Sequence, residues 1–165
     1  GLLNHSDSIG FELLQNLLEA SSSKIWLLKI TNLLKQYLNA KHVILETYAD
    51  NLYACSPQDQ SFLKEKTLST IEIYEKISLR NGNRPHPFWI EKSLIVPFQH
   101  EGYLEIIWDK KPADTELKRY NSIFLFLESS LKHRTNLIYN HRDKNRIRIF
   151  SKLGEILNNH NHKLI

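Results

Sequence analysis

A single cysteine, no methionine, five glycines and five prolines occur in 165 residues. Cys55 alone rules out an internal disulfide, which fits a reducing, cytoplasmic setting. No apolar run approaches the roughly 18 residues that a membrane helix needs. The start, Gly1-Leu-Leu-Asn-His-Ser-Asp7, has neither the basic flank nor the continuous apolar stretch of a signal peptide. With no methionine even at the first position, the chain is expected to be a fragment of something longer or a processed product. Glycine and proline are absent between Ala113 and Leu153, which leaves that stretch free to be one long helix.

What is present is ordinary globular material, 41% hydrophobic and 24% charged, enough for one domain with its own core. The net charge of +4 is unevenly distributed. Residues 1–129 carry 14 Lys/Arg against 16 Asp/Glu, a balance of −2, whereas residues 130–165 carry 8 against 2, a balance of +6. The basic character therefore belongs to the tail, as a solvated helix face, a linker, or a surface for nucleic acid or anionic lipid.

Ser8 to Ala20 places Phe11, Leu13, Leu14, Leu17 and Leu18 at helical spacing. Ser21-Ser22-Ser23 then supplies an N-cap for a second helix with Ile25, Trp26, Ile30, Leu33, Leu34, Tyr37 and Leu38 as its stripe. Lys41 to Tyr48 and Leu52 to Cys55, joined by Ala49-Asp50-Asn51, make a first hairpin. Phe62, Leu63 and Leu68 suggest irregular helix. Ser69-Thr-Ile-Glu72 resembles a capping box for a helix with Ile71, Tyr74, Ile77 and Ser78 on one side, stopped by Asn81-Gly82. Phe88-Trp89-Ile90 is at most a short strand after Pro85 and Pro87. Ser93 to Phe98 and Tyr103 to Trp108 form a second hairpin, with Gly102 supplying positive φ at the turn and Pro97 placed at a bulge or where its nitrogen points away from a partner strand. Leu117, Phe124, Leu131 and Ile138 recur every seven residues with Tyr120 and Leu127 alongside. The phase then slips to Phe150, Leu157 and Leu164, as a stutter or a break near Asn140 to Asn145 produces.

This order predicts an α+β fold, an antiparallel sheet of about five to six strands with helices on both faces and a long C-terminal helix. A GAF/PAS-like domain over 1–140 is expected to be followed by a basic helical tail or linker over 141–165.

Ser93-Leu-Ile-Val-Pro-Phe98 and Glu101-Gly-Tyr-Leu-Glu-Ile-Ile107 resemble the signature of GAF domains, the small-molecule sensory modules of signalling proteins. In that signature a strand ending Val-Pro-Leu is followed by a turn with Asp-Gly and a second strand. Asn81-Gly-Asn-Arg-Pro85 is similar to the family's Thr-Gly-x-Pro, and Pro112 to Leu131 to its closing helix. The resemblance implies a non-catalytic regulatory domain, with its ligand between the sheet and the segments corresponding to Ser56–Ile90. Tyr53, Cys55, Tyr74, His86 and Trp89 are then candidate lining residues.

Glu46 and Glu105, on one side of their strands, are further candidates that can meet an amine or cation across adjacent strands; solvated surface carboxylates are the alternative. Tyr74 and Trp89 can stack on a planar ligand or serve as core. Cys55 reads as a small core residue ahead of a nucleophile or chromophore attachment point. The eight histidines form no metal pattern, so neither catalytic residues nor a metal or cofactor are assigned. The expected partners are an unidentified small molecule and a second copy, paired in a coiled coil through the N- and C-terminal helices, with no membrane insertion. The alternatives are a dimerisation or scaffolding domain without ligand and a nucleic-acid-binding tail.

Overall fold

The computed structural model describes residues 5–58, 71–79 and 86–164. Two helices, α1 (His5–Leu18) and α2 (Lys24–Tyr37), lead into the hairpin of β1 (His42–Thr47) and β2 (Leu52–Ser56). A helix α3 over residues 71–79 follows. Then come β3 (Phe88–Ile90), β4 (Ser93–Pro97), β5 (Gly102–Ile107) and the closing helix α4 (Asp114–Leu164). The strands form one antiparallel sheet in the order β2-β1-β5-β4-β3. The architecture is the expected α+β fold. The readings of Phe62, Leu63 and Leu68, of the Ser69 cap, of the Asn81-Gly82 stop and of the Asn81–Pro85 motif fall outside the described residues.

Strand alternation divides the sheet into two unlike faces. Val43, Leu45, Ala54, Leu94, Val96, Leu104 and Ile106 point to one side and form the main core with α1, α2 and α4. The helices contribute Leu13, Leu27, Ile30, Leu34, Phe124, Leu127 and Leu131 to it. On the opposite face α3 packs Ile73 and Ile77 against Phe88, Ile95 and Tyr103. β2 and β3 are the two edges of the sheet, and α3, which lies between them in the chain, rests on this second face.

The hairpins follow local rules. Ser23 caps α2 through its hydroxyl, which accepts from the Ile25 N–H at 3.1 Å. Gly102 has φ of +147°, and a Cβ there would lie 1.9 Å from the Glu46 carbonyl oxygen, so only glycine fits the turn against β1. The Phe98 N–H points to β5, donating to Gly102 O at 2.9 Å. By alternation the Pro97 nitrogen faces the other way, beyond the end of the short β3, and no ladder donor is lost.

The structure corrects several core assignments. On α1, Ile9, Leu13 and Leu17 are buried while Phe11, Leu14 and Leu18 face outward. On α2, Ile25 is 77% exposed and Leu27 is buried in its stead. The inward residue of α3 is Ile73 and not Ile71, because Ile73 and Ile77, one turn apart, meet the sheet. Leu117, Tyr120, Phe124, Leu127, Leu131 and Ile138 all turn inward on α4 as their spacing requires. The helix runs without a break through Asn140 to Asn145. No side chain between Tyr139 and Asn159 is buried.

Candidate functional site

The second face of the sheet carries polar groups where the first carries aliphatic ones. Strand register sets them in rows: Tyr53, Glu46, Tyr103 and Pro97 lie side by side across β2, β1, β5 and β4. Cys55, Ile44, Glu105, Ile95 and Phe88 form the next row. Glu46 and Glu105 are therefore diagonal neighbours on adjacent strands, a separation of about 7–8 Å at the backbone. Glu105 is only 1% exposed, so it is not a solvated surface carboxylate.

Four tyrosines surround Glu46. Tyr53 and Tyr103 flank it by register, Tyr48 follows it two residues on in the same strand direction, and Tyr74 comes down from α3. The Tyr74 hydroxyl donates to Glu46 Oε1. Tyr48 and Tyr74 stand with ring centroids 6.5 Å apart, and Tyr74 meets Tyr103 edge-on at 5.9 Å and 89°. Tyr103 is fully buried with its hydroxyl beside the same carboxylate.

The electrostatics follow from this crowding. Burial, then the Glu46 charge, pushes the Tyr48 phenol up to about 12. Burial also raises Tyr74, reinforced by its hydrogen bond to Glu46, and raises Tyr103 with the Glu46 charge as second cause. All three phenols hold their protons more tightly than a free tyrosine. The arrangement offers hydrogen-bond donors and aromatic faces around a carboxylate. Beside it, Cys55 is buried with Sγ 3.1 Å from the Pro57 carbonyl oxygen. Among the described residues no group of three or more His, Cys, Asp or Glu is placed to hold a metal ion.

The structure thus brings Glu46, Tyr53, Cys55, Tyr74 and Glu105 onto one face. It separates the other two candidates from them. Trp89 alternates to the opposite face, packs at 6.0 Å from Trp108 and carries Lys111 over its ring at 4.2 Å. Tyr74 and Trp89 therefore cannot hold one planar ligand between them. His86 is exposed at the mouth of a groove of about 370 Å³ between β4 and α4, with Val96, Phe98 and Phe124.

Two participants escaped the sequence reading, Tyr48 and Tyr103. Each stands two residues from a carboxylate already singled out, Glu46 and Glu105, and period-two alternation puts both on its face. Arg134 was also missed. It is 1% exposed and reaches Asp50 with Nη1 and Nη2 at 3.1 and 2.5 Å, and the Ser22 carbonyl at 3.1 Å. Its signal was the seam Tyr120, Leu127, Arg134, in which a guanidinium takes a core position and so requires a buried partner.

Burial alone would raise the Asp50 carboxyl. Hydrogen bonds from Arg134 and Thr47, with the Arg134 charge, outweigh it and hold the group below its ordinary range. Further along α4, Arg142 donates to Ala49 O at 3.0 Å and Thr135 to Glu101 Oε2, so the turns of both hairpins are bonded to this helix.

No family model matches the chain, and neither a curated protein nor a solved structure shows significant similarity to it.

Proposed function

We propose that the chain is a non-catalytic, GAF-like sensory domain of a larger signal-transduction protein, working in the cytoplasm. In this reading a small molecule binds between the sheet and the insertion to which α3 belongs, and the terminal helices relay its presence. The observation that carries the proposal is the polar character of the second sheet face, where buried Glu105 and Tyr103 and half-buried Glu46 occupy positions that packing alone would fill with aliphatic side chains. Buried polar groups, rather than apolar ones, are what mark a site.

The relay is a population shift. β1 carries Glu46 four residues before Asp50, and Asp50 is bonded to Arg134 of α4. A ligand that alters the seating of β1 changes the balance between arrangements of α4. Thermal-shift titration with a panel of small metabolites tests the binding step: a saturable rise in Tm that disappears in Glu46→Gln supports it, and a panel without any hit removes it.

A second reading is favoured by a different observation. Ile149, Phe150, Leu153, Ile156 and Leu157 form a wide apolar stripe, all exposed, on the part of α4 beyond the sheet. A dimerisation domain without ligand would use that stripe in a coiled coil with a second copy. Among the described residues no helix is long and apolar enough to cross a membrane, so the stripe is read as a protein contact.

A further inference from the structure

Resting on the reading of the tail as a contact with a second copy, we propose that two chains pair antiparallel along α4, so that the tail of each lies in a groove beside the first half of the other's helix. The groove is already present in the fold. Two hollows of about 310 and 370 Å³ adjoin along α4 and share Pro87, Asn121 and Phe124 as walls. Trp89 and Leu94 line one of them, Val96 and Phe98 the other. Leu125, 57% exposed, lines the larger hollow, where an apolar occupant buries it. The chain's own tail cannot be that occupant. α4 is unbroken, and Ile149 stands about 36 Å along its axis from Leu125.

Spacing and charge on α4 select the partner and its direction. Beside the seam that covers the sheet runs a second one, in alternating steps of four and three residues. It opens with Asn121, Leu125 and Glu128 on the groove and continues to Arg146, Ile149 and Leu153 on the exposed tail. Antiparallel pairing about a two-fold axis beside Leu137 sets Leu125 against Ile149, Asn121 against Leu153, and Glu128 against Arg146. Symmetry makes each contact twice. Ile156 and Leu157 then fall opposite Lys118 and Leu117, at the smaller hollow. Parallel pairing in register brings Glu128 to Glu128, Lys132 to Lys132 and Arg146 to Arg146, and like charges so placed repel. The antiparallel registers one heptad away set Glu128 against Leu153, or Leu125 against Arg142, a charge facing an apolar side chain in each case. The favoured register does place Lys132 opposite Arg142, but that guanidinium is turned to the Ala49 carbonyl oxygen at 3.0 Å and to the Tyr139 ring.

Disulfide trapping and sedimentation equilibrium of the full chain test the arrangement. In a Cys55→Ala background, chains bearing Leu125→Cys are mixed with chains bearing Ile149→Cys and oxidised. Both positions are more than half exposed, so the fold tolerates the changes. Cross-linked dimer is expected in the mixture and in neither chain alone, because each position faces the other and not its own copy. Arg146→Glu, which sets carboxylate against carboxylate twice, should weaken the dimer Kd about five- to tenfold. Adding Glu128→Arg reverses the pair and should restore most of that affinity. Leu125→Arg, outside the tail, should weaken the dimer at least about tenfold. Self-cross-linking of Leu153→Cys with none in the mixture shows parallel pairing, so that the dimerisation reading survives and this arrangement falls. A Kd unmoved by Leu125→Arg overturns the groove as the contact, and absence of the charge-reversal rescue overturns the register. A monomeric mass for the unaltered full chain overturns this arrangement and the dimerisation reading together.

Discussion

Arg134 shows how one buried charge ties distant parts of a chain together. Its guanidinium joins α4 to the β1–β2 turn through Asp50 and to the α1–α2 connection through Ser22 O. Asp50→Ala leaves that guanidinium buried without its counter-ion and should cost about 3 kcal/mol in urea denaturation. The double variant with Arg134→Met should recover much of the loss, since an apolar side chain of similar length fills the same space. The pH dependence has a definite sign. Asp50 is held below its ordinary value of 3.8, so its contribution is present above that pH and is lost as the pH falls below it. Denaturation curves between pH 5 and about 3 should show this slope, and Asp50→Ala should flatten it. Gly102 is a second decisive residue: Gly102→Ala meets the Glu46 carbonyl and a strained φ together, and a loss of at least about 2 kcal/mol is expected by the same measurement. The glycine was legible in the sequence because turn chemistry is local. Asp50 read only as a turn residue, because its partner lies 84 positions away.

At the scale of elements, periodicity told which segments are helices and strands but not always which side faces in. α1 and α2 each carry apolar residues around more than half of the wheel, so the choice between Leu13 and Leu14, or Ile25 and Leu27, depends on where the sheet lies. The strands were easier, because β4 and β5 are flanked by turn residues and their register follows from alternation. The site was half legible for the same reason. Strand positions Glu46, Tyr53, Cys55 and Glu105 share a face by parity, whereas Trp89 was assigned by family resemblance and parity sends it to the other face. The phase slip beyond Ile138 suggested a stutter or a break, and α4 continues without the break, since a change of apolar register costs nothing to a helix with no sheet beneath it. That tail yields a prediction about association. A chain ending at Tyr139 should be monomeric by light scattering, and the full chain should be dimeric. Phe150→Glu with Leu157→Glu should return the full chain to the monomeric mass. Equal masses for all three would exclude the tail as the contact.

For the molecule as a whole, the two faces of the sheet differ in chemistry. The first face holds the core with α1, α2 and α4; the second concentrates phenols around one carboxylate. Because Tyr48, Tyr74 and Tyr103 are raised in the folded state, the folded chain keeps protons that the unfolded chain gives up. Their contribution is complete below the ordinary tyrosine value of 10.0 and is lost as the pH climbs above it. Denaturation at pH 9, 10 and 11 should show falling stability, and Glu46→Gln should soften the fall by removing the negative charge that helps to hold those protons. The closing helix has a mechanical consequence. It is bonded near Arg134, Thr135 and Arg142 to the tips of both hairpins, and beyond Ile138 it extends for a further 26 residues, about 39 Å. A tilt of about 5° at the anchored end therefore moves the far end by about 3 Å, so the helix acts as a lever whose short arm is clamped by two β-turns.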